Sequence, residues 1–376
     1  MEFSKQELER YSRHLIIPEF NIEGQRKLKK AKVLIVGTGG LGAPLLQYLA
    51  AAGVGTLGLV DFDVVEDSNL QRQVLFTVND IGRSKTVAAQ EKIKALNPHI
   101  EVKVHNTRLT SENALDIIKE YDVVADGTDN FPTRYLVNDA CVILRKPNVY
   151  ASIFRFDGQV SVFNHTDANG NTGPNYRDLF PSPPPPGLVP SCAEGGVLGV
   201  LPGIMGSLQA SEVIKLIIGV GTPLSGRLFL FDALSFKTTT LKISKNKNAF
   251  PITELIDYES FCGIGAKEES QSVPEITVEE LRNLRDNQED FQLIDVREAY
   301  EYEIANLEGK LIPLKELEGK ISAIRSDKKV VVHCRSGARS AEAVQQLQTY
   351  GFENVYNLKG GILAWAEQID PEMAKY

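Results

Sequence analysis

The sequence lacks paired cysteines: its four, Cys141, Cys192, Cys262 and Cys334, form no C-x-x-C motif and no dense framework. A disulfide-stapled fold is thereby excluded, and isolated thiols fit a reducing cytoplasm in which some can be reactive. Basic residues are in deficit, 41 Lys and Arg against 49 Asp and Glu, for a formal net charge of −8. That balance argues against direct nucleic-acid or anionic-membrane binding and leaves room for a local basic site. No clean membrane span is present, because the most apolar stretch, 197–221, is interrupted by Pro202, Gln209, Glu212 and Lys215. The opening MEFSKQELERYSRH is charged throughout and has no apolar signal core, so a cytoplasmic location is expected. No internal repeat is evident. The composition is that of a soluble globular protein, and 376 residues suggest two or three domains.

What is there begins at Val33. The run Val33–Val36 reads as a buried parallel strand, and Gly37, Gly39 and Gly42 supply G-x-G-x-x-G at the turn into a helix. Such a turn cradles phosphate, because glycine permits close approach and the helix start presents unpaired N–H groups. A second strand, Leu57–Val60, ends at Asp61, whose carboxylate could accept hydrogen bonds from a ribose. A dinucleotide needs little more. A triphosphate calls for cationic side chains and a metal, and here Arg72 and Lys85 follow, with Asp126 and Asp129 in DGTDN after the apolar run YDVVA. Taken singly, each of these residues is weak evidence, since a lone Arg or Lys is usually a solvated surface charge.

The ordered set YSRH, GTGGLG, DFDVVEDSNLQRQ, GRSK, DGTDNFPTR and SCAEGGVLG, within residues 8–262, resembles the ubiquitin-activating-like adenylyltransferases that serve molybdopterin synthase and thiamine biosynthesis. The resemblance implies a Rossmann-like adenylation domain that uses ATP and magnesium. Its partner would be a small β-grasp sulfur-carrier protein whose C-terminal Gly-Gly becomes an acyl-adenylate with release of pyrophosphate. By resemblance, Gly40 contacts the phosphates, Asp61 the ribose, Asn69, Arg72 and Lys85 the triphosphate, and Asp129 the magnesium. Arg13 would reach into the site of a second copy, which implies a homodimer. On its residues alone, Arg13 is a solvated charge on an amphipathic helix. Many family members hold zinc with two C-x-x-C pairs. The first of these positions reads Asn175-Tyr176-Arg177-Asp178 here and no pair follows, so no zinc is expected and packing or hydrogen bonds must hold that corner.

Along the chain, residues 4–30 suggest one or two amphipathic helices. Strands at 33–36, 57–60, 101–104 and 121–125 alternate with helices at about 43–52, 84–96 and 111–119, which implies a mainly parallel sheet covered by helices. Two short strands, VYASIF and GQVSVFN, follow as a hairpin around Asp157-Gly158. Five prolines in six positions, 181–186, form an extended segment that leads to Cys192. Cys192 is either a small buried hydrophobe or, by resemblance, a nucleophile near the adenylate. A helix at 204–218 and two strands around Asp232-Ala233 complete the domain 1–262. Residues 263–274, small, polar and charged, are the expected linker.

Residues 275–376 read as a separate α/β unit with strands at 291–296 and 329–334, a helix at 340–350, a strand NVYNL and a closing GGILAWAEQ. Cys334 ends a strand and stands before a helix, so the N–H groups of its loop could hold the outer sulfur anion of a persulfide. HCRSGARS places Arg335, Ser336, Gly337, Ala338 and Arg339 around it. With LIDVRE and NLKGGILAW, this stretch resembles the rhodanese sulfurtransferases. Cysteine phosphatases use a similar loop with one more residue between Cys and Arg, and the smaller ring suits sulfur. The histidine that usually follows the first rhodanese strand is missing from EIANLEGKLIP, which leaves the donor, thiosulfate or a cysteine desulfurase, open.

Together the two centres imply adenylation of the carrier followed by persulfide transfer from Cys334 to give a thiocarboxylate, with Cys192 as second thiol before or after that step. The linker must then let one domain reach the other's site. An activating enzyme that makes thioesters for protein conjugation, a nicotinamide oxidoreductase and a non-catalytic scaffold rank below this reading, in that order. The carrier's pathway, whether molybdopterin, thiamine, cysteine or tRNA thiolation, is not written in the sequence.

Overall fold

The structure, a computed structural model, describes residues 2–185, 195–263 and 273–376. Cys192, the end of the proline-rich segment and most of the expected linker lie outside the described residues. The chain divides into two compact units, residues 1–266 and 267–376.

In the first unit, apolar β-branched runs form β1 (Lys32–Val36), β2 (Thr56–Val60), β3 (Glu101–His105), β4 (Val123–Asp126) and β5 (Asn148–Phe154), which pair in parallel. Antiparallel pairing then adds β6 (Asp157–Phe163), β7 (Arg227–Asp232) and β8 (Lys237–Lys242), for the order β3-β2-β1-β4-β5-β6-β7-β8. Every position of β2 is buried, as a strand covered on both faces requires. Leu45, Leu46 and Leu49 of the helix Gly42–Ala52 pack on one face with Val213 of the helix Leu201–Ile218. Tyr135, Leu136 and Ala140 of the helix Phe131–Ile143 cover the other.

Leu201–Ile218 is the one described helix long and apolar enough to cross a bilayer. It packs into this core instead, with buried Gln209 donating Nε2 to the main-chain oxygens of Asp126 and Val149 at 2.8 and 2.7 Å. This agrees with the reading of residues 197–221 as buried globular structure.

Four local expectations need correction. Three short helices, Lys5–Arg10, Ser12–Leu15 and Asn21–Lys30, replace the one or two expected at the start. The helix foreseen at 111–119 shrinks to Ala114–Ile118, because the Asn113 side chain accepts the Thr110 N–H and holds 110–113 as a turn. The helix Phe131–Ile143 was not foreseen at all; Asn130 caps it through the Thr133 N–H and Pro132 sits in its first turn. The hairpin turns at Arg155–Phe156, with Arg155 at φ 53°, and not at Asp157-Gly158. Gly158 lies within β6, where a Cβ would come within 2.4 Å of Met205 Sδ, so packing against the helix Leu201–Ile218 explains that glycine.

The second unit is a parallel five-stranded sheet. Its strands β9 (Glu275–Ile276), β10 (Phe291–Asp295), β11 (Lys310–Leu311), β12 (Lys329–His333) and β13 (Val355–Leu358) lie in the order β11-β10-β12-β13-β9. The helices Val278–Asp286 and Gly361–Gln368 meet in a core around Leu281, Leu293, Ile362 and Trp365, while Ala338–Thr349 packs Ala343, Val344 and Leu347 against Val330 and Val332. That last helix begins at Ala338, two residues nearer to Cys334 than its expected start at 340.

Candidate functional site

The strand order of the larger sheet reverses between β1 and β4, and a cleft opens where their carboxyl ends diverge. Gly37, Gly39, Gly40, Asp61, Arg72, Lys85 and Asp129 all line it. Gly37 turns the chain at φ 89° while its N–H binds the Val60 carbonyl at 2.8 Å. Gly42 serves packing: a Cβ there would lie 2.0 Å from the Gly37 oxygen, so only glycine lets the helix start this close to the strand. Gly42 therefore shapes the loop from outside the cleft.

Asp61 pins the loop from below. Its Oδ2 accepts from Thr38 N and Oγ1 at 2.8 and 2.9 Å, and its Oδ1 from Asp63 N at 3.0 Å. Lys85 is buried, with Nζ 3.1 Å from Asp63 Oδ2, and Arg72 donates Nη1 to the Ser68 carbonyl at 3.0 Å. Asn69 does not line the cleft; its carbonyl accepts the Arg72 N–H at 3.1 Å and so sets the turn that carries Arg72. Arg13 is exposed on Ser12–Leu15 and stands apart from this cleft.

Asp129 is exposed at the cleft wall, and among the described residues it has no hydrogen-bond or ion-pair partner. Among the described residues no three His, Cys, Asp or Glu converge into a metal cage. A single carboxylate without a partner among the described residues, beside a glycine-rich loop, has the chemistry magnesium accepts, since that ion keeps waters and phosphate oxygens as its other ligands. Arg134, a cleft residue the sequence reading passed over, is buried and donates Nε and Nη2 to the Thr128 carbonyl at 3.3 and 3.0 Å. Beneath it Asp126 Oδ1 accepts from Thr128 N and Oγ1 at 3.0 and 2.6 Å, and burial pushes the Asp126 carboxyl up. Nothing in DGTDNFPTR distinguishes a buried guanidinium from a surface one.

Asn175–Asp178 forms an ionic staple. Asn175 caps the short helix Tyr176–Leu179, and Arg177 forks onto Asp139, Nε to Oδ1 at 2.9 Å and Nη2 to Oδ2 at 2.7 Å. The Tyr258 hydroxyl donates to the same Oδ2 at 2.8 Å, and the guanidinium lies over the rings of Tyr135 and Phe261. Cys262 is buried beside them as an apolar filler.

In the second unit Cys334 follows β12 and is only 1% exposed. Gly337, at φ 103°, caps the next helix and aims its N–H at Cys334 Sγ from 3.1 Å. Ser340 Oγ stands 3.4 Å from the sulfur and 2.6 Å from Asn357 Oδ1. The closing Gly-Gly packs on this loop: Ile362 and Leu363 donate their N–H groups to the carbonyls of Cys334 and Arg335, and a Cβ on Gly361 would lie 2.5 Å from the Cys334 oxygen. Arg339 forks onto buried Glu301 with both contacts at 2.7 Å. Burial alone would raise the Glu301 carboxyl, but that fork brings it below the usual range. Arg335 is half-buried, while Ser336 and Ala338 are exposed. Underneath, Arg297 and Asp295 form a fully buried pair, and burial holds His333 down at about 4. Glu301, Arg297, Ser340 and Asn357 escaped the sequence reading, although Ser340 closes the HCRSGARS motif.

Comparison with known proteins gives two family matches, the ThiF family over residues 11–252 and a rhodanese-like domain over 277–368. A probable adenylyltransferase/sulfurtransferase MoeZ of Mycobacterium tuberculosis is 51% identical over 379 residues, covering 99% of this chain and 96% of its own. The adenylyltransferase and sulfurtransferase MOCS3 of Xenopus laevis is 43% identical, covering 98% and 88%. A sulfur carrier protein adenylyltransferase of Thermus thermophilus is 54% identical over 70% of this chain and all of its own. Among solved structures, E. coli MccB in complex with MccA-N7isoASN superposes with a TM-score of 0.58 at 24% identity, over 67% of this chain and 76% of that one, and shows the shared fold.

Proposed function

We propose a reaction sequence from one premise: the chain belongs to the ThiF family, carries a rhodanese-like domain behind it, and is an adenylyltransferase and sulfurtransferase. Its substrate is the C-terminal Gly-Gly of a small β-grasp sulfur-carrier protein. ATP lies in the cleft with its phosphates on the loop of Gly37, Gly39 and Gly40 and its ribose at Asp61. Arg72 and Lys85 neutralise the triphosphate, Lys85 exchanging Asp63 for a phosphate oxygen. Asp129 would hold magnesium, which supplies further charge neutralisation on the phosphates when bound. The carrier carboxylate attacks the α-phosphorus, the α–β bond breaks, and pyrophosphate leaves.

Cys334, loaded as a persulfide by thiosulfate or a cysteine desulfurase, then attacks the acyl-adenylate carbonyl through its outer sulfur and AMP leaves. The Gly337 N–H, the loop of Ser336 and Ala338 and the cations Arg335 and Arg339 stabilise the sulfur anion before attack. The acyl disulfide opens when the Cys192 thiolate attacks the Cys334 sulfur. This releases the carrier thiocarboxylate and leaves a Cys192–Cys334 disulfide for a thiol reductant. Both steps act on one carrier tail, so the tail must meet the two centres in turn. Arg13, exposed beside Ile16 at 70% and Leu8 at 40% exposure, would complete the cleft of a second copy in a homodimer. The setting is cytoplasmic.

The observation that carries this reading is a cationic glycine-rich cleft, with an Asp129 unpaired among the described residues, in the same chain as a cysteine that faces a loop N–H. Intact-mass analysis of a Gly-Gly carrier incubated with ATP, magnesium and thiosulfate tests it. Conversion of the terminal carboxylate to thiocarboxylate, dependent on ATP, is expected. Absence of both adenylate and thiocarboxylate on every Gly-Gly carrier tried would overturn it.

A further inference from the structure

Tyr376 lies far in sequence from Cys334 and yet touches its loop. The main-chain oxygen of Tyr376 accepts from Arg335 Nε, and the Arg335 guanidinium lies 5.7 Å from the centre of the Tyr376 ring. On the other side, the phenol accepts from Arg297 Nη1 and stands 3.5 Å from Glu301 Oε1, the oxygen that also receives Arg339 Nη2. One residue thus grips the near end of the loop through Arg335 and its far end through Glu301 and Arg339. The ring is half-buried beside the two guanidinium groups of Arg297 and Arg335, and Cys334 is 1% exposed. A nucleophile so covered has to be reached past whatever closes the rim. Elsewhere around Cys334 stand the Gly337 N–H and, from the helix Ala338–Thr349, Ser340 Oγ, 3.1 and 3.4 Å from the sulfur, and Gly361, packed on the Cys334 carbonyl.

We propose that Tyr376 is the rim residue that decides which sulfur donors and acceptors reach Cys334. This rests on the sulfurtransferase reading of the loop. In the resting arrangement the ring and its hold on Arg335 admit a small donor anion and exclude a bulky thiol reagent. A large substrate enters when the Arg335 and Glu301 contacts are exchanged for contacts of its own. Tyr376 does not touch the reacting sulfur; it is a positioning residue whose ring is held over the rim by Arg335, with the phenol contacts to Arg297 and Glu301 as secondary supports.

The test uses the full-length protein and follows alkylation of the Cys334 peptide by mass spectrometry, with iodoacetamide as small reagent and a bulky aryl maleimide as large one. Tyr376→Ala should raise the large-reagent rate about fivefold or more while the small-reagent rate changes by less than about twofold, so that size selection collapses. Tyr376→Phe keeps the ring and the main-chain acceptor for Arg335, loses only the phenol contacts, and should retain size selection within about twofold of wild type. With thiosulfate as donor and cyanide as acceptor, the same Ala variant should change KM for thiosulfate more than kcat.

An unchanged ratio of the two alkylation rates in a folded Tyr376→Ala protein would overturn the proposal. So would loss of selection in folded Tyr376→Phe, because the ring would then not be what excludes the large reagent. Should the Ala variant fail to fold, the Phe variant still decides by that second criterion. Failure of the sulfurtransferase reading would look different: Cys334 would alkylate with the expected size selection but yield no thiocyanate in the wild type.

Discussion

The two chemical centres of this chain treat their charges in opposite ways. In the glycine-rich cleft of the first unit Asp129 has no partner among the described residues, Lys85 holds a half-exposed Asp63, and Arg72 directs one nitrogen to a main-chain carbonyl. Around Cys334 the charges are already paired: Arg339 with Glu301, Arg297 with Asp295, both with carboxylates buried in the protein. In the proposed reaction the first site receives its counter-charges from a polyanionic ligand. The second would be set before any ligand arrives, with a loop N–H and fixed cations ready for a sulfur anion. A nucleotide brings about four negative charges, whereas a persulfide brings one, and the degree of internal pairing follows that difference.

The comparison breaks most visibly if one centre's charges matter to the other's reaction. Lys85→Ala or Asp129→Asn should lower ATP–pyrophosphate exchange by about 100- to 1,000-fold, with thiosulfate-to-cyanide transfer unaltered. Glu301→Ala should act the opposite way. It leaves Arg339 without its buried partner, and we expect sulfur transfer to fall by roughly 100-fold, the second unit to lose about 1–3 kcal/mol by denaturant unfolding, and exchange to persist.

Smaller effects sharpen the picture within each unit. Asp139→Asn removes the charge and one of the two acceptor oxygens that Arg177 and Tyr258 use, and should cost the first unit about 2–4 kcal/mol. The wild-type protein should keep its thermal midpoint in a metal chelator, because Arg177, Asp139 and Tyr258 hold that corner by an ion pair and a hydrogen bond. The last effect is one of pH. His333 is buried against Asp295 and Arg297 and held at about 4, below its ordinary 6.5. Its neutral form is the folded one, so the stability it contributes is present above about 6.5 and is lost as pH falls toward 4, at up to about 1.4 kcal/mol per pH unit. Glu301, also held low, loses its contribution in the same direction at lower pH. His333→Gln should flatten the pH dependence of unfolding in that interval.

How far the sequence revealed this molecule depends on the range of the interactions involved. Parallel strands at 33–36, 57–60 and 329–333 were legible because burial on both faces leaves an unbroken apolar run. The cleft residues were legible because a phosphate cradle needs a local glycine turn followed by charges at strand ends. The helix Phe131–Ile143 was not, since eight of its thirteen residues are buried and polar Arg134, Asn138 and Asp139 are among them, which erases the amphipathic pattern. Asp157-Gly158 misled for a related reason: that glycine answers to Met205, 47 residues later in the chain, and not to a turn. Tyr376, Glu301 and the Arg177–Asp139 staple are contacts between remote segments, for which no spacing rule exists. Glycine loops, caps and strand periods are local and announce themselves; side-chain networks that orient a site do not.

The measurement that tests the account most directly is intact-mass analysis of a Gly-Gly carrier after turnover with ATP, magnesium and thiosulfate by the Cys334→Ala protein beside the wild type. The account predicts thiocarboxylate from the wild type, and from the variant only adenylation, seen as undiminished pyrophosphate exchange. Full thiocarboxylate production by Cys334→Ala would contradict it, because the prearranged loop of the second unit would then have no part in the transfer.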